Sequence, residues 1–125
     1  MKTRNIYIVC SAYKPPASSK YYNTNFPAKL NNMSSIIHKK SRKLIITCDM
    51  NCNYAVPNDH IDIKDIIKSY ELSQIIKLPT CIAKQSHTII DVLYTNDKLV
   101  ISTTINHTNS LSNHNLIGFS AKIKL

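Results

Sequence analysis

Apolar residues fall along the chain in short blocks whose period changes, and the changes predict alternating strands and helices. Asn5 to Ala12 (NIYIVCSA) is a continuous β-branched and apolar run, the pattern of a buried strand. Pro15 and Pro16 end it and open a loop rich in Ser, Lys and Tyr. From Pro27 to about Lys39, Leu30, Met33 and Ile37 recur at helical spacing, with Phe26 one turn before Leu30. Lys43 to Thr47 (KLIIT) is too short for a helix and predicts a second buried strand.

After the turn-rich Asp49 to Pro57, Asn58 or Asp59 is placed to cap a second helix. Ile63, Ile66, Ile67 and Tyr70 form its apolar face, and Asp62 and Asp65 suit its N-terminal end. Gln74 to Ile76 predicts a short strand before a Pro79-Thr80 loop. Thr88 to Thr95 and Leu99 to Ile105 read as the third and fourth major strands. A polar segment, Asn106 to Asn115, then leads to a final strand over Leu116 to Lys124. The order predicts an α/β mixture. Gly118 is the sole glycine, so tight turns must lean on Asn and Asp. A Walker loop and a dinucleotide fingerprint, which need several glycines, are excluded.

Composition narrows this further. A chain of 125 residues is one domain or part of one. It has no run of about 18 apolar residues, so no membrane-spanning helix is expected. Ile6 to Val9 is too short for a secretory core, and an intracellular location, cytoplasmic or nuclear, follows. The formal charge of +9, from 16 Lys plus Arg against 7 Asp plus Glu, favours a polyanionic partner such as nucleic acid. AT-rich coding would produce the same excess of Lys, Asn and Ile. Without a secretory signal, Cys10, Cys48, Cys52 and Cys81 are expected as reduced thiols. Cys48 and Cys52 form a lone C-x3-C that no second pair completes into a zinc site, and Cys10 and Cys48 read as small buried hydrophobes.

Candidate chemistry gathers at the ends of predicted strands. Asp49 and Asn51 follow one strand, Tyr13 ends another, Asp91 interrupts an apolar run, and His114 closes the polar loop. Open α/β sheets bind ligands at such ends. A carboxylate inside an apolar strand needs a partner, and His114 would serve by donating a ring N–H to Asp91, which fixes its tautomer. Alternatively, Asp91 lies on a solvated face and pairs with a Lys.

These residues carry a resemblance. Ser11 to Pro16 (SAYKPP) resembles the "YRPP" loop of non-LTR retrotransposon endonucleases, and Cys48 to Asn51 (CDMN) their "GDFN" turn. Pro79-Thr80 with Thr88 to Asn96 (TIIDVLYTN) resembles "PTR … TLIDxxxTN", and Ser112 to Ile117 (SNHNLI) resembles "SDHxxI". The four motifs stand in family order across essentially the whole chain. The resemblance implies the endonuclease/exonuclease/phosphatase superfamily and the C-terminal half of its four-layered, deoxyribonuclease I-like α/β sandwich. A mostly antiparallel or mixed sheet with two helices is then expected, residues 1–125 forming a partial domain whose N-terminal half is missing.

In that family Asp49 would orient or deprotonate the attacking water, Asn51 hold the scissile phosphate, and Tyr13 donate to it. His114 would stabilise charge on the phosphoryl oxygens, and Asp91 would position His114. Magnesium would be the cofactor and DNA the substrate. The metal site is incomplete. Asn113 stands where a metal-facing Asp is usual, and the family's main Glu ligand lies in the absent half. Cys48 also replaces the glycine of the turn, where the backbone approaches substrate. The implied function is metal-dependent phosphodiester hydrolysis, weak or absent in this fragment. A non-catalytic basic remnant that binds nucleic acid or a protein is the rival reading, and another branch, a phosphatase or lipid phosphodiesterase, is the third. Because the strands look apolar on both faces, an exposed sheet face and self-association through it are also expected.

Overall fold

The structure, a computed structural model, describes residues 6–20, 25–40, 43–83, 86–105 and 116–122. In chain order the elements are β1 (Tyr7–Tyr13), α1 (Phe26–Lys39), β2 (Lys43–Asp49), α2 (Ile61–Ser69), β3 (Ser73–Gln74), β4 (Cys81–Ala83), β5 (Ser86–Thr88), β6 (Asp91–Thr95), β7 (Val100–Ile105) and β8 (Leu116–Ala121). The main sheet is mixed, in the order β1-β2-β6-β3, with two separate two-stranded hairpins, β4-β5 and β7-β8. β1 runs parallel to β2, whereas β2 and β3 each pair antiparallel with β6.

The period-2 geometry of the strands sorts side chains onto two faces. Leu44, Ile46 and Cys48 of β2 and Val92 and Tyr94 of β6 join Leu30 and Ile37 of α1 and Ile63 and Ile67 of α2 in the main core. Ile8, Cys10 and Ala12 of β1 pack against its margin. The alternate residues Ile45 and Leu93 are fully buried on the opposite face, under Ile76 and Val100 with Ile117 and Ala121 beside them. The β7-β8 hairpin therefore covers part of the face that the sequence pattern left without a partner. Val9 of the edge strand β1 remains 60% exposed there.

α1 starts where expected, and α2 does not. α1 opens with a proline in its first turn, where the lost N–H is needed least, and ends on His38 and Lys39, which suit the negative end of its dipole. α2 is not capped by Asn58 or Asp59. His60 occupies the cap position in a left-handed conformation (φ 51°), and the helix receives no side-chain cap. Asp59 is diverted, because its Oδ1 meets His60 Nδ1 at 2.6 Å. Glu71 follows α2 at φ 58° and turns the chain toward β3.

All four cysteines are free thiols. Cys48 is buried in the main core, as its apolar surroundings in sequence suggest, while Cys10 is partly covered. Among the described residues no helix is long and apolar enough to cross a membrane.

Candidate phosphodiester-cleaving site at the strand ends

The register of the main sheet brings three of the sequence-predicted residues into one row. Tyr13, the last residue of β1, is the partner of Asp49, the last of β2, and Asp49 is the partner of Asp91, the first of β6. The row lies on the face away from the helices. Tyr13 is 60% exposed and both carboxylates are partly buried. Like charges directly opposite one another across two strands are unfavourable unless a cation, a proton or a donor lies between them.

Asn51 joins this row through the turn that leaves β2. Its N–H donates to Asp49 Oδ1 at 3.1 Å, and its backbone is left-handed at φ 48°, a conformation Asn tolerates better than most residues. Its side-chain Nδ2 donates to the Lys14 carbonyl at 2.8 Å, while Lys14 N–H donates to the Asp49 carbonyl at 2.9 Å. The loop after β1 and the turn after β2 are thus stitched together across the strand ends. This accounts for the pairing of the SAYKPP and CDMN motifs in space.

On the other side, a short irregular step sets Asp91. The sequence pattern predicts one strand from Thr88 to Thr95, but the chain leaves strand geometry at Ile89 and Ile90. The reason is competition for their backbone groups. Thr80, fully buried, accepts from the N–H of Ile90 at 3.1 Å and of Asp91 at 3.0 Å through its Oγ1. The carbonyls of Ile90 and Ile89 accept from Met50 and Tyr54 N–H, both at 2.7 Å. Asn53 Oδ1 takes the Ile89 N–H at 3.2 Å. Sequence reasoning placed Thr80 in a motif but gave it no task, and its side chain holds the start of β6 in place. At the far end of β6, Asn96 Oδ1 accepts from Leu44 N–H at 2.9 Å, a structural use for the second residue of the Thr95-Asn96 pair.

A cavity of about 350 Å³ opens over this end of the sheet. Ser11, Thr47, Asp49 and Asp91 line its sheet side, and Ile117 and Phe119 of β8 form its far wall. His114 and Asn113, the remaining sequence-predicted site residues, lie outside the described residues. The described chain resumes at Leu116, two residues after His114, in the same β8 that walls the cavity.

A second polar cluster sits on the helix side of the sheet. Cys52, Asp59 and His60 offer ligand atoms that all lie within 4.8 Å of one another. Burial pushes the Cys52 thiol up to about 11, with nearby Asp59 adding to the effect. Burial likewise raises Cys48, to about 12. The sequence signal for this cluster was weak. Cys52 was weighed only against Cys48, and the loop that returns the chain to it carries no metal-site spacing.

A mixed sheet backed by two helices matches the endonuclease/exonuclease/phosphatase fold. Residues 7–118 match the profile of the Endonuclease-reverse transcriptase family, and the chain belongs to that family. Among solved structures, the endonuclease domain of TRAS1, a telomere-specific non-LTR retrotransposon, superposes with a TM-score of 0.68 at 15% identity, over 90% of this chain and 56% of that one. A beta toxin from Staphylococcus aureus matches with a TM-score of 0.61 at 14% identity, over 91% of this chain and 53% of that one. An endonuclease/exonuclease/phosphatase family protein from Leptotrichia buccalis C-1013-b gives 0.50 at 18% identity, over 86% and 48%. The chain spans about half the length of each. No curated protein sequence matches it.

Proposed function

We propose that this chain carries the strand-end portion of a divalent-metal-dependent DNA phosphodiesterase centre of the retrotransposon endonuclease type. The observation that supports it best is the single row of Tyr13, Asp49 and Asp91, with Asn51 tied beside it and the two carboxylates facing a cavity of about 350 Å³. Asp49 orients or deprotonates the attacking water. Asn51 holds a phosphate oxygen with the second N–H of its amide, the first being given to the Lys14 carbonyl. Tyr13, exposed in the same row, donates its hydroxyl to the phosphate. Asp91 positions His114, which stabilises charge growing on the phosphoryl oxygens.

The donor set suits a hard ion, since Asp49 and Asp91 bring carboxylate oxygens to one side of the cavity. Magnesium is the ion this reading assigns; Asp49 and Asp91 would face it, and Asn113, outside the described residues, would be the weak ligand that the resemblance implies. When bound, it would polarise the phosphoryl group and lower the charge that the site must otherwise neutralise. With two carboxylates and one amide, affinity should be weak, and turnover by the isolated chain slow.

Nicking of supercoiled plasmid in magnesium tests the reading. Cleavage should be abolished in Asp49→Ala and in His114→Ala. Cleavage that survives both changes would refute the assignment. The net charge of +9 favours a second reading, a basic remnant that binds nucleic acid without cutting it. Salt-sensitive duplex binding, unaffected by Asp49→Ala and with no nicking at any enzyme concentration, is its signature.

A further inference from the structure

We propose that Cys52, Asp59 and His60 form a binding site for a borderline transition-metal ion, Zn2+ or Co2+, distinct from the strand-end cleft. The argument begins with the chain. The segment between Asn51 and α2 folds back in a series of turns and brings Asp59 and His60 against the buried Cys52. His60 is held left-handed at φ 51°, which takes its imidazole out of the helix direction and places it beside Asp59. Non-glycine residues kept in this region mark places where the surroundings over-determine the backbone, and such places cluster at ligand sites.

Distance and donor type then select the ligand. Around a tetrahedral zinc ion with bonds of roughly 2.0–2.3 Å, donor atoms stand roughly 3.3–3.8 Å apart. Three ligand atoms within 4.8 Å need only a small contraction to reach that spacing. One sulfur, one nitrogen and one oxygen form a set that magnesium and calcium avoid, and that zinc and cobalt accept. Three protein donors leave a fourth position for water.

The cluster is already linked: His60 Nδ1 lies 2.6 Å from Asp59 Oδ1, and its Nε2 lies 3.4 Å from the Lys14 ammonium. Cys52 is 6% exposed. On binding, the Cys52 S–H bond breaks, its proton goes to solvent and the sulfur bonds to the metal, while the Asp59–His60 hydrogen bond opens so that the carboxylate and one deprotonated ring nitrogen both turn to the ion. Lys14 is itself buried, 5% exposed, so its ammonium must be displaced from His60 before the ion can settle. That ammonium repels a doubly charged ion twice as strongly as it attracts the thiolate, so Lys14 acts as a competitor. This competition gives the site a signature that an accidental grouping of polar side chains would lack.

Spectroscopic titration of the full chain with Co2+, under reducing conditions and in excess magnesium, tests the proposal. The expected result is one Co2+ per chain, with a thiolate-to-cobalt charge-transfer band and the intense visible bands of four-coordinate cobalt, all abolished by added Zn2+. Cys52→Ser, which nearly preserves side-chain volume, should remove the charge-transfer band. His60→Ala should weaken binding at least about tenfold, since losing even the outer partner of a ligand costs that much. Lys14→Met should tighten binding several-fold, and Cys81→Ala should change nothing. Absence of the band in the wild type, its persistence in Cys52→Ser, or unchanged affinity in His60→Ala would each overturn the proposal. Because the readout is metal binding in the presence of magnesium, it stands whether or not the strand-end cleft cleaves DNA.

Discussion

Replacing Thr80 with Val removes one oxygen and leaves side-chain shape nearly intact, which makes it a sharp probe of how Asp91 is held. Thr80 is fully buried, and its Oγ1 accepts from two consecutive backbone N–H groups, Ile90 and Asp91, at 3.1 and 3.0 Å. In the Val variant both donors lose this partner. A buried donor without a partner costs about 1–3 kcal/mol, so two would cost about 2–5 kcal/mol after some local relaxation. For a chain of this size each kcal/mol lowers Tm by roughly 3–6 °C. Thr80→Val should therefore melt roughly 10 °C or more below the wild type. Thr80→Ser keeps the acceptor and loses one methyl, for about 1 kcal/mol. Thermal unfolding followed by circular dichroism measures both. If Ser and Val are equally destabilising, the methyl matters and the oxygen does not, and the account of how β6 begins is wrong. Where nicking can be measured, Val should also depress it beyond the loss of folded protein, through a displaced Asp91.

Two other predictions concern the opposite end of the sheet and its open face. The Tyr7 hydroxyl donates to Asp97, a bond that holds the Asp97 carboxyl below its ordinary range and the Tyr7 phenol above its own. A lowered carboxylate stabilises the fold above its unfolded pKa, and that contribution disappears as pH falls through the folded value. Tyr7→Phe should thus be less stable than the wild type at neutral pH, with the gap closing in acid below the usual carboxylate range, and chemical denaturation at several pH values reads it. A gap that widens in acid would contradict the assignment. Val9, exposed on the edge strand β1, should support self-association, so Val9→Lys should shift the chain toward monomer in sedimentation velocity. An unchanged distribution would place any association elsewhere.

The elements were largely legible because the apolar period is strong where the core is deep. Ile45, Ile46, Leu93 and Tyr94 are all fully buried, and the blocks that contain them were read as strands. What could not be read was the fate of individual backbone groups. The Thr88 to Thr95 block is apolar throughout, and nothing in its pattern reveals that Thr80, Asn53, Met50 and Tyr54 take the hydrogen bonds of Ile89, Ile90 and Asp91. Asp59 likewise has the right chemistry for a helix cap, but it meets His60 instead. Alternatives of this kind differ by a single hydrogen bond, whereas burial of a whole strand face involves many kcal/mol. Tyr13, Asp49, Asn51 and Asp91 could be predicted as neighbours from their motifs, yet their arrangement depends on register, which only pairing reveals.

Register also explains why one sheet face can be both a core and a site. Across the open face, Val9, Ile45 and Thr95 form one row, Ser11, Thr47 and Leu93 the next, and Tyr13, Asp49 and Asp91 the last. Polarity thus increases along β2 toward its C-terminal end, and β6 meets it there with the carboxylate of Asp91. The β7-β8 hairpin covers the apolar part, burying Ile45 and Leu93, while the cavity opens over the polar part. A hairpin lying flat on a uniformly apolar face would bury more area and leave no room for a ligand. A uniformly polar face would not hold the hairpin. The gradient does both, because burial of the apolar rows anchors β8 and lets Ile117 and Phe119 wall a space whose floor is carboxylate and hydroxyl. A change in the apolar rows, such as Leu93→Ala, should therefore disturb the site through the hairpin rather than through the carboxylates.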